Sequence, residues 1–215
     1  MMEEIHMAAE RKIKPVADNK DKQRTYQAQK GRYKRAVESG FFFEALLIDY
    51  ALLEDRLRSM LYHMGFLVDR TAFKIWSKKR NCLCEIVSAY KKDNEDCRLG
   101  ITNISGKAKI VRCVLEWATY TEGGYQQDRY LSALKSQCEG LDIDGLLSSL
   151  EDLQNWCAYR NEVVHGLMNK NLESLSDEIK EYAETGMQLA NFFDSQVRIL
   201  KAGNKIRRST NLKMN

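Results

Sequence analysis

Between residues 156 and 170 the chain reads WCAYRNEVVHGLMNK, which sets Arg160, Asn161 and His165 within six residues. A guanidinium grips phosphate oxygens through two parallel N–H bonds. An imidazole titrates near neutrality, and a primary amide can orient either group. On a helix turning roughly 100° per residue, Asn161 and His165, four apart, stand nearly in line. Arg160 lies roughly 100° from the first and roughly 140° from the second, so all three share one arc, with Glu162 pointing elsewhere. Such a set suits the holding or cleaving of a phosphodiester without a metal ion. A blander reading pairs Arg160 with Glu162 or Glu181 on the surface and leaves His165 as a favourable charge at a helix C-terminus.

The cluster needs a scaffold, and the apolar periodicity describes one. Leu146, Leu150, Leu153, Trp156, Cys157 and Val164 recur at three- and four-residue intervals, which predicts a long amphipathic helix from 142 to beyond His165. Residues 41–64, FFFEALLIDYALLEDRLRSMLYHM, show the same spacing in Ala45, Leu46, Leu53, Leu57, Met60, Leu61 and Met64, with Gly65 as the C-terminal cap. Further helices are predicted over 71–92 from Thr71 as N-cap, over 105–121 up to Gly123-Gly124, and over 125–138 up to Gly140. A last one starts at Ser174 or Ser176, where acidic residues follow in the first turn. No stretch alternates like a strand for long, and the chain has a single proline, Pro15. The expectation is an all-α fold, an antiparallel helical bundle of about five or six helices.

With 215 residues, 44% hydrophobic and 30% charged, the composition is that of a soluble globular domain able to bury a core without staples. Residues 1–38 read as a polar, basic N-terminal arm with room for some helix, 39–200 as the helical domain and 201–215 as a basic C-terminal tail. The first fourteen residues have no apolar core like that of a secretory signal. The longest apolar run is interrupted by Glu44 and Asp49 and is too short to span a bilayer. A cytoplasmic protein without a membrane partner is expected.

The net charge of +4 is uneven: residues 201–215 hold five basic and no acidic side chains, and 70–112 hold eleven against four. Basic segments attract a polyanion such as RNA through counterion release, although solvated lysine-rich tails look the same in a sequence.

Cysteines stand at 82, 84, 97, 113, 138 and 157. Without paired C-x2-C spacing or a nearby histidine they read as reduced thiols rather than a zinc site, and no metal or cofactor is expected. The stretch GITNISGKA looks faintly like a phosphate loop, but five residues separate its glycines, Ala108 stands where the motif needs a hydroxyl and no strand precedes it.

At RNEVVH, residues 160–165, the sequence resembles the HEPN superfamily (higher eukaryotes and prokaryotes nucleotide-binding), whose signature is R-[N/D/H]-x3-H. The specific part is this hexapeptide and the order of helices, over about residues 40–200. The resemblance implies a metal-independent endoribonuclease acting as a toxin or phage-defence effector. Arg160 and His165 would be the catalytic pair, with Asn161 orienting them. It implies attack of a ribose 2′-hydroxyl on the adjacent phosphorus, leaving a 2′,3′-cyclic phosphate and a 5′-hydroxyl. It also implies a homodimer with a composite active site, and an antitoxin or defence-system protein as a further partner. One branch of the family carries a modifiable tyrosine two residues after the histidine; this chain has Leu167 there.

The other histidines are weaker candidates. His6 lies in the arm, and His63 shares a seven-residue stripe with Asp49 and Arg56, a pattern typical of a solvated or paired face. Glu44 or Asp49 could hold Arg160 or His165 across the bundle, because a carboxylate in an apolar segment is costly unless paired. Two other readings stand beside the nuclease. In a non-catalytic nucleotide- or protein-binding module, Arg160 and His165 would close on a ligand within one chain. In a plain helical interaction protein they would face open solvent or pair locally.

Overall fold

A computed structural model describes residues 19–72, 74–90, 100–166, 176–203 and 205–208. The described residues form seven helices of ten residues or more: α1 (Asn19–Glu38), α2 (Phe42–His63), α3 (Ser77–Tyr90), α4 (Ile104–Tyr120), α5 (Arg129–Cys138), α6 (Ile143–Gly166) and α7 (Ser176–Ala202). A single turn, α8 (Lys205–Arg208), follows. The protein is all-α, with more helices than the five or six that periodicity marks out, because α1 is one of them.

Helix α2 is the axis of the fold. Leu46, Leu53, Leu57, Met60 and Leu61 are fully buried along it, and it packs on α1, α4 and, most extensively, α7. A helix apolar over more than one stripe must be covered on more than one side. It stops as its sequence foretells: Gly65 takes the left-handed conformation, φ 92°, one residue past the cap Met64.

The segment read as an arm is, from Asn19 onward, a helix docked on the bundle. α1 runs antiparallel to α2, as shown by Lys22 Nζ donating to Ser59 Oγ at 3.2 Å and by the Arg32–Glu44 ion pair at 2.9 Å. Tyr33 Oη donates to the carbonyl of Ala183 at 3.1 Å, fastening α1 to α7 as well. Where the three helices meet, Ala36, Ala45 and Ala183 form a small apolar cluster. The polar sequence of α1 hides this role because alanines give little periodic signal.

α6 and α7 are antiparallel neighbours, with Trp156 Nε1 donating to the carbonyl of Tyr182 at 2.7 Å and Asp142 N–H donating to Gln196 Oε1 at 3.1 Å. α2 and α7 run parallel instead: Asp49 sits beside Gly186, and seven residues on Arg56 Nη1 meets Asp194 Oδ1 at 2.6 Å.

Local chemistry shifts three predicted starts. α3 begins at Ser77 rather than Thr71, because Asp69 accepts from both the backbone N–H and the hydroxyl of Thr71 at 2.7 Å and holds a turn there. α5 begins at Arg129, where Asp128 caps the N–H groups of Tyr130 and Leu131. α4 starts one residue early, capped by Asn103 accepting from Gly106 N–H at 2.7 Å. Ser174 and Leu167 fall outside the described residues. Part of the basic tail is anchored: Arg207 Nε donates to the Tyr62 carbonyl at 2.7 Å, its guanidinium lies 3.8 Å from the Tyr62 ring centroid, and Nη2 donates to the Leu67 carbonyl. Among the described residues no helix is long and apolar enough to cross a membrane.

The α2–α7 approach makes a stability prediction. A methyl group on Gly186 would stand 2.8 Å from the Trp156 ring and 2.9 Å from Cβ of Asp49. Alanine normally gains about 1 kcal/mol over glycine inside a helix, but overpacking a core costs about 1–3 kcal/mol. The indole is pinned by its hydrogen bond and Cβ of Asp49 moves only with the α2 backbone, so the clash should win. Gly186→Ala is expected to lower unfolding free energy by about 1–2 kcal/mol in a urea titration, against the helix-propensity trend.

Candidate functional site

α6 presents the Arg–Asn–His cluster at its C-terminal end. Leu146, Leu150, Leu153, Trp156, Cys157 and Val163 form its buried stripe, which fixes the helix's rotation and leaves Arg160 at the edge of the core. Its guanidinium lies 4.4 Å from the ring centroid of Tyr50 on α2, and Nη1 donates to Asn161 Oδ1 at 3.1 Å. Nε is buried without a hydrogen-bond partner among the described residues. The arginine is thus stacked on an aromatic ring and tied to an amide. A guanidinium stacked in this way keeps its charge and N–H edge while losing rotational freedom.

Asn161 and His165 are exposed. The structure brings Arg160 and Asn161 into contact. It places His165 one turn further along the same side of α6, without a hydrogen-bond or ion-pair partner among the described residues. The cationic edge is therefore preset and the imidazole is open to solvent.

Tyr50 was not singled out in the sequence, and nothing there links it to Arg160, since the contact depends on how α2 and α6 sit together. Burial raises its phenol above the ordinary range, as does Glu54, with Arg160 opposing. Burial also pushes the neighbouring Cys157 thiol up to about 11, against the pull of Arg160, so it is no thiolate nucleophile at neutral pH. Behind Tyr50, Glu54 accepts from Lys107 at 3.0 Å and from Arg58 at 2.8 Å. Lys107 is fully buried and also donates to the Asn103 carbonyl at 3.2 Å. The lysine of GITNISGKA is thus committed to the interior.

A cleft of about 640 Å³ lies between α6 and α7 and does not include the cluster. Tyr159 and Tyr182 stack at 3.5 Å, within 9° of parallel, along its wall. Asp152, Glu178 and Glu181 line it too, and that acidic wall disfavours a phosphate backbone.

Neither Glu44 nor Asp49 holds the cluster. Glu44 pairs with Arg32 on the surface. Asp49 is fully buried beside Trp156 and Gly186, with no partner for either carboxylate oxygen among the described residues. Burial drives its pKa from 3.8 up to about 9, so it is protonated at neutral pH. Of the stripe of Asp49, Arg56 and His63, expected as a solvated or paired face, Arg56 is paired with Asp55 and Asp194, and none of the three is solvated, since all are buried. α2 is covered on both sides by α1 and α7, which its own sequence does not reveal. Arg56 and His63 also line a second cleft, a grouping the sequence reading passed over. Of the cysteines, Cys82, Cys84, Cys113, Cys138 and Cys157 form no disulfide among the described residues, and Cys97 lies outside them.

Compared with protein-family models, curated proteins and solved structures, the chain finds no match in any of the three.

Proposed function

We propose that this protein is a metal-independent endoribonuclease of the HEPN kind, a cytoplasmic toxin or defence effector that cleaves RNA at a site built on Arg160, Asn161 and His165. The supporting observation is the Tyr50–Arg160–Asn161 arrangement: a guanidinium stacked at 4.4 Å on a ring and hydrogen-bonded at 3.1 Å to an exposed amide, one turn before an exposed histidine. A solvated surface arginine has no reason to be held so.

The chemistry follows from the residue types. The ribose 2′-oxygen forms a bond to phosphorus while the bond to the 5′-oxygen breaks, and a proton moves from the first oxygen to the second. His165 takes or gives that proton. Arg160 stabilises the charge growing on the non-bridging oxygens, and Asn161 orients its N–H edge. In-line transfer works best with an acid and a base on opposite sides of the phosphorus, and each chain offers one histidine at this site. Two-fold association of α6 surfaces supplies the second copy, so the proposal includes a homodimer, with an antitoxin or defence-system partner controlling it.

The test is incubation of the purified protein with total RNA and tRNA in EDTA, followed by mapping of the cut ends. Cleavage leaving 2′,3′-cyclic phosphate and 5′-hydroxyl termini is expected. Intact RNA after incubation with folded, dimeric protein would overturn the assignment.

A further inference from the structure

The second cleft, about 340 Å³, opens between α1, α2 and α7, away from the α6 cluster. Five cationic side chains reach it from three helices and the α2–α3 connection: Lys22, Arg56, Arg70, Arg198 and Lys201. One carboxylate, Asp194, shares the wall. A second, Asp55, stands behind it, 2.8 Å from Lys22 Nζ. Arg56 is clamped by Asp55 and by Asp194, the latter at 2.6 Å, and Arg198 meets Asp194 at 2.8 Å. Among the described residues, five cations face two carboxylates at this recess, a balance that draws an anion to it.

The recess is built rather than incidental. Arg56 is buried, its guanidinium lies 4.4 Å from the Tyr26 ring centroid, and the Tyr26 hydroxyl is buried with no hydrogen-bond partner among the described residues. His63 shows the local field independently. Burial lowers its pKa to about 3, and Arg70, Arg207, Lys201 and Lys22 add to that lowering. The imidazole is therefore neutral, a donor and acceptor inside a cationic pocket.

We propose that this cleft binds a small phosphate-bearing ligand, of the size of pyrophosphate or a nucleoside monophosphate. Arg70, Arg198 and Lys201 engage the phosphate oxygens, while Lys22 and Arg56 form the charged floor. The volume sits at the lower end of the range for small-molecule sites. The recess is walled by three helices, which favours a compact ligand over a polynucleotide chain. Gln23 and Gln27 on α1 add amide donors and acceptors at the rim.

Isothermal titration of the full chain with inorganic pyrophosphate and with AMP tests this. Saturable one-to-one binding of at least one probe is expected, weakening about tenfold or more in Lys201→Glu and in Arg70→Gln. Lys180→Glu makes the same charge change as Lys201→Glu on α7 but outside the cleft, and should leave binding within about twofold. His165→Ala should bind both probes as the wild type does, so loss of the nuclease reading and loss of this one are separable. Circular dichroism shows whether each variant is folded. No saturable binding at millimolar probe, equal affinity in the Lys201 and Lys180 variants, or binding of long RNA alone would each overturn the proposal.

Discussion

His165→Ala is expected to reduce RNA cleavage by about 10²–10⁴-fold, the usual worth of a positioned general acid or base, while leaving the fold unchanged. The side chain is exposed and has no hydrogen-bond partner among the described residues, so its removal breaks no hydrogen bond among them. Arg160→Lys should be nearly as damaging although the charge is kept. Lysine presents a point charge that cannot stack as a plane on Tyr50 or donate two parallel bonds to phosphate. Mixing the two inactive variants then probes the composite site. If one protomer's arginine works with its partner's histidine, mixed dimers regain a measurable share of the wild-type rate. If both act within one chain, the mixture stays silent. Undiminished cleavage by His165→Ala would remove the histidine from the mechanism.

Asp49→Asn is expected to stabilise the protein on the order of 4 kcal/mol at pH 7. The wild-type carboxyl must take up a proton to fold, because its pKa is 3.8 in the open chain and about 9 when buried. The sign is fixed by that direction. A folded pKa raised above the unfolded one gives stability that is complete below about pH 4, declines as pH rises, and levels off above about pH 9. The asparagine variant lacks this decline, so the gap between the two proteins should widen from pH 4 to 9. Taking the difference matters, since His63 is held neutral in the fold and pulls stability the other way as pH falls from 6.5 towards 3; that contribution cancels. Urea titrations at pH 5, 7 and 9 measure the gap, and a constant difference would show that Asp49 does not carry a buried proton.

The helices were legible where apolar spacing is regular: α2, α4 and α6 follow from their own residues, and Gly65 marks its stop. Starts governed by one side chain, such as Asp69 holding Thr71 in a turn, were not, because a cap and a turn use the same residue types. α1 showed only as an arm with room for some helix because its contacts are a small alanine, two tyrosines and long polar side chains. At the candidate site, the hexapeptide gave Arg160, Asn161 and His165 their common side of the helix. It could not give Tyr50, which reaches Arg160 only through packing of elements about a hundred residues apart. Likewise the seven-residue stripe of Asp49, Arg56 and His63 has one period whether water or another helix faces it.

The parallel seating of α2 on α7 joins residues 138 apart, as in the Arg56–Asp194 pair. During synthesis at about 5–20 residues per second, α2 waits roughly ten seconds or more for the helix that covers it. Until then Asp49, Arg56 and the apolar stripe beside them have no lid, and α6 has nothing to pack against on its α7 side. The apolar stripe of α2 is therefore an expected binding surface for holding chaperones until α7 is made, and the candidate site on α6 gains its α7 support only after that.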